Sequence, residues 1–560
     1  MSEMRPKKIP TGIDDFGKLI EQNFYYVDKS LFIKELIDNY SEVNLFTRPR
    51  RFGKSLNISM LQHYFDNTFA EESGVFEGLK ITAAGDYYKT YQNQFPVVKM
   101  TLKGVEGLSF QSALKKFKVL IADEFKRHRY LLQSSNLDDY EKEDYFQIMT
   151  LKADRDVYER SLKFLTDCLQ RHYNKQVIVL IDEYDVPIEK AHANDFYEKM
   201  VSFIRSFFGD ALKTNPSLFF AVVTGCLRIS KETIFTGLNN LDVISITSNK
   251  YSEHFGFTEL EAEEMLTYYA LVHKLPEMRD WYNGYLFGET TVYNPWSAIA
   301  YVSDARSGKK YPRPHWSNTS SNYIIRELIN VADTATKTEI EHLIAGESIV
   351  KPVKEDIVYA EITNTMDHLW NFLFFTGYLK KTGEMQKGVE IHYELKIPNK
   401  EVHYIFVRHI SDWFEEKTKI NDLTTLYLAI QAGDVEVFSE QITMFLMEVI
   451  SFMDSAENFY HGFLGGILRS MNGYFVKSNR ETGDGRSDYF IIPNTLRKKA
   501  FIIEVKIANS VAELEVACDE ALKQIEDKNY TAELALEGYN NVVKYGLAFF
   551  KKTCMVKKGD

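Results

Sequence analysis

The segment from Val177 to Ile181 is an unbroken apolar run, mostly β-branched, that ends in Asp182 and Glu183. Such a run suits a central strand that is buried on both faces, as in a parallel sheet. Parallel sheets bind their ligands at the carboxyl edge, where these two acids lie. The segment therefore predicts an α/β domain in which Asp182 holds Mg²⁺ and Glu183 orients or deprotonates an attacking water. The alternative interpretation is a strand that simply ends in solvent-exposed acids.

A second partial motif, Gly53-Lys54-Ser55, separates the mostly apolar run 43–46 from an amphipathic pattern. Strand, Gly-Lys-Ser and helix in this order are the setting of a phosphate-binding loop. Lys54 would reach the β- and γ-phosphates of ATP, and Ser55 would place its hydroxyl on Mg²⁺. Arg48 stands where the pattern has its first glycine, so its backbone must avoid the φ > 0 region. A basic helix start that binds any anion is the alternative.

The order and separation of the two motifs favour a P-loop ATPase core with a parallel sheet, which binds ATP and Mg²⁺. A mostly helical stretch is predicted from about 109 to 172. Thr224 would sense the γ-phosphate or only satisfy a strand end. Arg228 would supply charge to the transition state or lie on the surface. Further strands are predicted at 95–102, 218–224 and 241–247.

Several uncommon strings in the first half resemble the AAA-ATPase-like family, a bacterial and archaeal group that often carries a nuclease-like domain behind the ATPase. They are Arg-Pro-Arg-Arg-Phe-Gly-Lys-Ser (48–55), Leu-Ile-Asp-Glu-Tyr-Asp (180–185), Thr-Gly-Cys-Leu-Arg-Ile-Ser-Lys (224–231) and Gly-Leu-Asn-Asn (237–240). The resemblance covers about residues 8–300. It implies an additional-strand ATPase core with Asp182 and Glu183 in their usual roles. It also implies that Arg50, Arg51 and Phe52 belong to the nucleotide-binding loop, and that the missing glycine is a family trait.

The middle of the chain combines aromatic residues with helix and strand signals. Thr258 is predicted to cap a helix with acids in its first turn. The aromatic strings at 280–288 and 293–297 would stack a base or pack a helical lid, and the family resemblance implies a lid. Between about 340 and 406, a helical pattern leading to 369–379 is followed by two strand candidates, at about 391–395 and after Asn399. Helix, strand, turn and strand predict a winged-helix-like arrangement, which binds DNA or protein.

Near the C-terminus, Asp488 lies at the start of one predicted strand, and Glu504 and Lys506 lie in the next. Because side chains alternate along a strand, Glu504 and Lys506 share a face, and an antiparallel neighbour can bring Asp488 to it. Two such carboxylates bind Mg²⁺, and a lysine beside them positions or activates water. This set of residues fits metal-dependent phosphodiester hydrolysis.

The block from about 445 to 550 resembles the PD-(D/E)XK nuclease superfamily, with Ser487 where the superfamily name has proline. The resemblance implies a restriction-endonuclease-like α/β domain. It assigns a role to each of five polar residues: Asp488, Glu504 and Lys506 as the catalytic core, Gln524 as an auxiliary residue and Glu457 as a further metal ligand.

Composition narrows the class of protein. The chain has 560 residues, a formal charge of −12 and four scattered cysteines without metal-ligand spacing. An acidic surface argues against a protein coated with nucleic acid, while a local basic groove stays compatible with it. With no apolar signal region and no run of about 18 apolar residues, we expect a cytoplasmic protein without a membrane partner.

The sequence thus predicts a multidomain α/β protein. Its predicted domains are an AAA-ATPase-like P-loop domain (1–255), a helical lid and winged-helix-like region (256–440) and a PD-(D/E)XK nuclease-like domain (441–560). The predicted function is ATP binding and hydrolysis coupled to a Mg²⁺-dependent nuclease that cleaves nucleic acid, with DNA as the first candidate. The alternative is a nucleotide-dependent switch whose last domain only binds nucleic acid or a protein partner. A homo-oligomer is one candidate assembly.

Overall fold

The structure, a computed structural model, divides the chain into two compact units. The first unit comprises Met1–Thr319 and Val350–Val402, and the second comprises Ser320–Ile349 and His403–Asp560. The predicted domain boundaries after residues 255 and 440 stay predictions. The described residues are 6–227, 234–235, 239–316, 325–326, 328, 332–354, 365–420, 423–449, 457–469, 471–478, 489–495 and 497–559.

A five-stranded parallel sheet forms the centre of the first unit, as the apolar runs predict. Its spatial order is β2-β3-β4-β1-β5, so β4 lies between the strand that precedes Gly-Lys-Ser and the strand that ends in Asp182. All six residues of β3 are buried. The strands are β1 (Val43–Thr47), β2 (Val97–Thr101), β3 (Val177–Asp182), β4 (Leu218–Gly225) and β5 (Leu241–Ile244).

Helices pack around this sheet, and the predicted helical stretch 109–172 is confirmed as three of them, α6, α7 and α8. Reciprocal capping boxes at Ser109 and Asp138 define the starts of α6 and α7. The helices are α1 (Phe16–Glu21), α2 (Leu31–Asn39), α3 (Lys54–Phe65), α4 (Lys80–Ala83), α5 (Asp86–Lys89), α6 (Phe110–Arg127), α7 (Asp139–Met149), α8 (Arg155–Tyr173), α9 (Val186–Ala193) and α10 (Tyr197–Leu212).

Strand β5 ends at Ile244, three residues earlier than the sequence predicts. Its ladder with β1 stops where Phe46 pairs with Ile244. Beyond this point the Ser245 and Thr247 hydroxyls lie 2.7 Å apart, and the chain turns. The Thr247 backbone N–H donates to the Ser245 hydroxyl at 3.3 Å, and this local side-chain-to-backbone bond competes with the ladder, which accounts for the shorter strand.

The middle of the chain contains the predicted capped helix, since Thr258 and Glu261 form a capping box at the start of α11. The predicted helix and the strand predicted at 391–395 are present as α15 and β10, and β8 lies beside β10. The second strand, predicted after Asn399, is wrong: α16 begins at Lys400, and the Asn399 side-chain oxygen accepts the Val402 N–H at 3.0 Å, as in a helix cap. The antiparallel partner of β10 is instead β9, which precedes it. The elements are α11 (Glu259–Tyr268), α12 (Leu275–Tyr282), β6 (Tyr285–Phe287), β7 (Thr290–Val292), α13 (Pro295–Arg306), α14 (Thr334–Ile344), β8 (Ile349–Pro352), α15 (Met366–Phe375), β9 (Lys380–Lys387), β10 (Glu390–Lys396) and α16 (Lys400–Ile420).

Glu401, in the first turn of α16, is fully buried in the first unit. Its Oε1 accepts hydrogen bonds from the Ser297 hydroxyl at 3.0 Å and from the Trp316 backbone N–H at 2.8 Å. Its Oε2 has no hydrogen-bond partner among the described residues. Burial raises the pKa of Glu401 to about 8, so a neutral carboxyl joins α13, the segment at Trp316 and α16.

The second unit contains a five-stranded mixed sheet in the order β11-β12-β13-β14-β15. Only β13 and β14 pair in parallel among its described strands, and α20 makes the crossover between them. The predicted hairpin after β12 is confirmed. The elements are α17 (Thr424–Ala432), α18 (Val435–Val449), α19 (Glu457–Arg469), β11 (Tyr474–Ser478), β12 (Tyr489–Pro493), β13 (Ala500–Ile507), α20 (Leu514–Asp527), α21 (Tyr530–Leu536), β14 (Val542–Phe550) and β15 (Thr553–Lys558).

Buried aromatic residues hold helices against this sheet. The rings of Tyr460 on α19 and Phe549 on β14 stack with centroids 4.3 Å apart, and Phe438 on α18 meets Tyr545 edge-on at 5.5 Å. The Tyr545 hydroxyl also donates to the Ile430 carbonyl at 2.7 Å. Within the part of the chain that the structure describes, no helix combines the length and apolar character needed to cross a membrane.

Candidate active sites

The predicted phosphate-binding loop runs from the end of β1 to the start of α3. Arg48 avoids the φ > 0 region, which is the condition that the sequence sets for an arginine in place of glycine. Positive φ angles occur instead at Arg51 (71°) and Gly53 (82°). A residue other than glycine costs about 1 kcal/mol or more in this conformation, so contacts of Arg51 must hold the loop.

The Lys54 amine turns back onto this loop. Its Nζ donates to the carbonyl oxygens of Arg48 at 3.0 Å and Pro49 at 2.9 Å, and the residue is 6% exposed. The loop carbonyls therefore fix one positive charge at the start of α3. The partial positive charge of the helix N-terminus lies at the same place and adds to the attraction for an anion.

Asp182 receives hydroxyl groups from two neighbouring elements. The Ser55 hydroxyl on α3 donates to Asp182 Oδ2 at 2.6 Å, and the Thr224 hydroxyl on β4 donates to Oδ1. Asp182 is only 4% exposed. Because β4 lies between β1 and β3, the sheet order itself brings these three side chains together. A serine hydroxyl beside a carboxylate is a set of hard oxygen ligands, which fits Mg²⁺.

Glu183 follows directly and has an unusual backbone, with φ at 56°. Burial raises the pKa of its carboxyl, and the charge of Asp182 adds to the effect. Among the described residues, no hydrogen-bond partner of the Glu183 carboxylate is found. An acid with a raised pKa and free oxygens is suited to accept a proton from water.

Asp185 holds the backbone next to this site, a role that the sequence did not lead us to predict. It is buried, and its Oδ2 accepts the backbone N–H groups of Cys226 at 2.7 Å and Leu227 at 3.2 Å. It therefore fixes the chain directly after β4, next to Thr224. Its position in the same acidic string as Asp182 is the signal that could have drawn attention to it.

The side chains of Arg50, Arg51 and Phe52 contact protein groups. Arg50 Nη2 forms an ion pair with Glu189 Oε2 at 2.6 Å, and the Arg51 guanidinium lies 4.1 Å from the ring centroid of Trp296. Phe52 is fully buried, with its ring centroid 4.9 Å from that of Tyr285 and 5.1 Å from that of Phe287. The aromatic strings thus pack on the loop, which favours the packing interpretation over base stacking. Arg228 lies outside the described residues.

In the second unit, three predicted residues come together on the central strand β13 and the helix α20. Glu504 is 2% exposed, and its Oε1 accepts a hydrogen bond from Gln524 Nε2. The Gln524 Oε1 in turn accepts a hydrogen bond from Lys506 Nζ at 2.6 Å. The amide therefore links the carboxylate and the ammonium on the shared strand face.

The other two predicted nuclease residues cannot be placed in this site. Asp488 lies outside the described residues; it precedes Tyr489, which pairs with Ile503, the neighbour of Glu504. Glu457 begins α19, but its side chain is not among those described. Over the described ranges, no group of three or more His, Cys, Asp and Glu side chains is arranged to hold a metal ion.

Two family models match separate parts of this chain. Residues 10–235 match a family model described as "Predicted AAA-ATPase", named AAA-ATPase-like, and residues 455–559 match the PD-(D/E)XK nuclease superfamily. Each match covers its own part of the chain, the first near the N-terminus and the second near the C-terminus. The AAA-ATPase-like match includes the strands β1 to β4, and the nuclease match includes α19 through β15. The resemblances that the sequence strings indicate are thereby confirmed.

A protein from another organism is similar to almost the whole chain. An uncharacterized protein in the vnfD 5′ region of Azotobacter chroococcum mcd 1 is 26% identical over 550 residues. The alignment covers 96% of this chain and 95% of the relative. With 96% of this chain covered, the alignment includes most or all of both regions that the family models match.

Proposed function

We propose that this protein binds and hydrolyses ATP in its AAA-ATPase-like domain and cleaves nucleic acid, DNA in the first instance, in its PD-(D/E)XK domain. The observation that supports this most is the convergence of the Ser55 and Thr224 hydroxyls on Asp182, beside a lysine fixed at the helix start. A helix start that only binds anions would not need a buried carboxylate, Asp182, beside it. The nuclease half of the proposal is supported by the hydrogen bonds through which Gln524 links Glu504 and Lys506.

In the ATPase half, Lys54 and the N–H groups at the start of α3 bind the phosphates. Ser55 and Asp182 hold Mg²⁺, which neutralises negative charge on the phosphates when it is bound. Glu183 orients the attacking water and accepts its proton, a role that its raised pKa favours. Thr224 shares Asp182 with Ser55, which supports a role for Thr224 in sensing the γ-phosphate.

In the nuclease half, Glu504 and Asp488 supply carboxylate oxygens for a divalent cation, and Glu457 is a candidate for a further ligand. Lys506 positions water and stabilises negative charge that develops on the phosphate. Gln524 holds Lys506 at its oxygen and Glu504 at its nitrogen, and so orients both groups. In this proposal, the nucleotide state of the first site controls cleavage at the second. The proposed assembly is a homo-oligomer.

The test uses the purified full chain with Mg²⁺ and ATP on linear, circular and branched DNA and on matched RNA. We expect Lys54→Ala to lose nucleotide binding, because a lysine about 4 Å from one phosphate charge is worth roughly 4 kcal/mol at an effective dielectric near 20. Asp488→Ala and Glu504→Ala should each abolish metal-dependent cleavage. The surface variants Lys116→Ala and Glu520→Ala serve as matched controls and should behave as wild type.

Each half of the proposal can fail separately. Equal ATP affinity of wild type and Lys54→Ala in calorimetry would refute the nucleotide site. Cleavage that survives in Glu504→Ala would mean another site or a contaminant. A wild-type protein that binds ATP and nucleic acid without any cleavage would instead support the nucleotide-dependent switch.

A further inference from the structure

Arg48 is a buried cation directly at the phosphate-binding loop. Its residue exposure is 0%, and its Nη1 donates to the carbonyl oxygens of Thr47 at 3.0 Å and Ile244 at 2.8 Å. The guanidinium lies between two aromatic rings, 5.2 Å from the centroid of Phe255 and 4.9 Å from that of Phe287. It therefore ties the ends of β1 and β5 to the aromatic segment behind the loop.

The charge of this guanidinium has no counter-charge inside the described part of the chain. Its Nε and Nη2 have no hydrogen-bond partner there, and no carboxylate pairs with it. Burial lowers the pKa of Arg48 to about 9, which leaves it charged at neutral pH. By contrast, Arg127, which is also largely buried, pairs with Asp66 at 3.0 Å and Glu124 at 2.6 Å.

An uncompensated buried charge is costly, so a chain that keeps one needs a reason. The backbone of Arg48 supplies a direct connection to the phosphate site. Its carbonyl oxygen accepts from Lys54 Nζ at 3.0 Å, and its N–H donates to the Gly225 carbonyl at 3.1 Å. The missing anion is therefore most simply the ligand that Lys54 binds.

We propose that Arg48 is a positioning residue of the phosphate site: a fixed positive charge beneath the loop whose counter-charge is the polyphosphate of the bound nucleotide. This inference rests on the proposed nucleotide binding. The arginine at the first-glycine position then has a function of its own: it contributes positive charge to the site, whereas glycine would contribute only backbone freedom. Nucleotides with more phosphate charge should then depend more strongly on Arg48.

The experiment compares Arg48→Lys, Arg48→Gln, Arg48→Met and Arg48→Gly by calorimetry with ATP, ADP and AMP at two salt concentrations. Lys keeps the charge, Gln keeps a donor without charge, Met keeps only the apolar stem, and Gly restores the usual loop residue. We expect Lys to stay within a few-fold of wild type. Gln, Met and Gly should each bind ATP about tenfold or more weakly, which corresponds to about 1.4 kcal/mol, and should lose less for AMP.

The control is Arg155→Met, since Arg155 also lies over phenylalanine rings, at 5.2 Å from Phe110, but away from the loop. Thermal melting identifies variants that fail to fold. If Arg48→Met or Arg48→Gly does not fold, the comparison of Arg48→Lys with Arg48→Gln is enough to test the effect of the charge. Equal losses in Arg48→Lys and Arg48→Gln, or an unchanged ATP-to-AMP affinity ratio in folded uncharged variants, would overturn the proposal. Improved binding by Arg48→Gly would overturn it too. Failure of wild type to bind any nucleotide, or full binding by Lys54→Ala, would instead refute the underlying function.

Discussion

Replacing Glu401 by glutamine should remove a pH dependence of stability from the first unit. The carboxyl is fully buried, and burial raises its pKa from the ordinary 4.5 to about 8. A difference of about 3.5 units between folded and unfolded protein corresponds to about 5 kcal/mol in total. Because the folded state binds the proton more tightly, this stabilisation is complete below about pH 4.5 and is lost as the pH rises through about 8.

The useful window lies between about pH 6.5 and 9.5, where Glu401 should lose about 2 kcal/mol of that stabilisation. The groups facing it stay neutral over most of this range: burial raises the pKa values of Tyr285 and Tyr282, and burial lowers the pKa of His315. Other titrations are common to wild type and variant and cancel in the comparison.

Urea unfolding followed by tryptophan fluorescence is the assay, since four of the five tryptophans belong to the first unit. Wild type should lose about 2 kcal/mol more than Glu401→Gln between the two pH values. Glu401→Leu is the control: it leaves the Ser297 hydroxyl and Trp316 N–H unpaired, which costs about 1–3 kcal/mol each at every pH. If the free energy of unfolding changes with pH by the same amount in wild type and Glu401→Gln, Glu401 does not titrate in this window and the reasoning is wrong.

Two further substitutions separate binding from chemistry. Glu183→Gln should keep ATP affinity within a few-fold and lose hydrolysis by about 100-fold or more, because it removes the proton acceptor and leaves the phosphate contacts intact; single-turnover phosphate release checks this. Lys506→Ala should keep divalent-metal binding, measured by calorimetry, and lower the cleavage rate by about 100-fold or more. Loss of metal binding in that variant would contradict the separation of roles.

The strands of the ATPase core could be predicted because their cause is local. A buried parallel strand needs a continuous apolar run, and 177–181 has one that no helix-forming pattern opposes. The strand ends were harder to predict: β5 stops at Ile244, where the Ser245 hydroxyl accepts the Thr247 backbone N–H, a contact that no periodicity reveals.

The long-range contacts of the site could not be read from spacing. Nothing in the sequence indicates that Arg48 lies between Phe255 and Phe287, more than two hundred residues away. Glu401 likewise stands among polar residues at a helix start, where exposure is the ordinary expectation, yet it is fully buried. Such positions depend on which segments pack together in three dimensions.

The nuclease site shows the same division. Strand alternation is enough to put Glu504 and Lys506 on one face. The link through Gln524 depends on how α20 crosses β13, and only the family resemblance pointed to that residue. Asp488 lies outside the described residues, so its place beside Glu504 stays a prediction.

The amide of Gln524 has a consequence for the charge balance on the strand face. Because it lies between Lys506 Nζ and Glu504 Oε1, the two charged groups are linked through a neutral group. A divalent cation at the proposed metal site would then add positive charge at Glu504 without first displacing the ammonium group from that oxygen. Gln524 thereby acts as a spacer between the ammonium group and the carboxylate oxygen that it contacts.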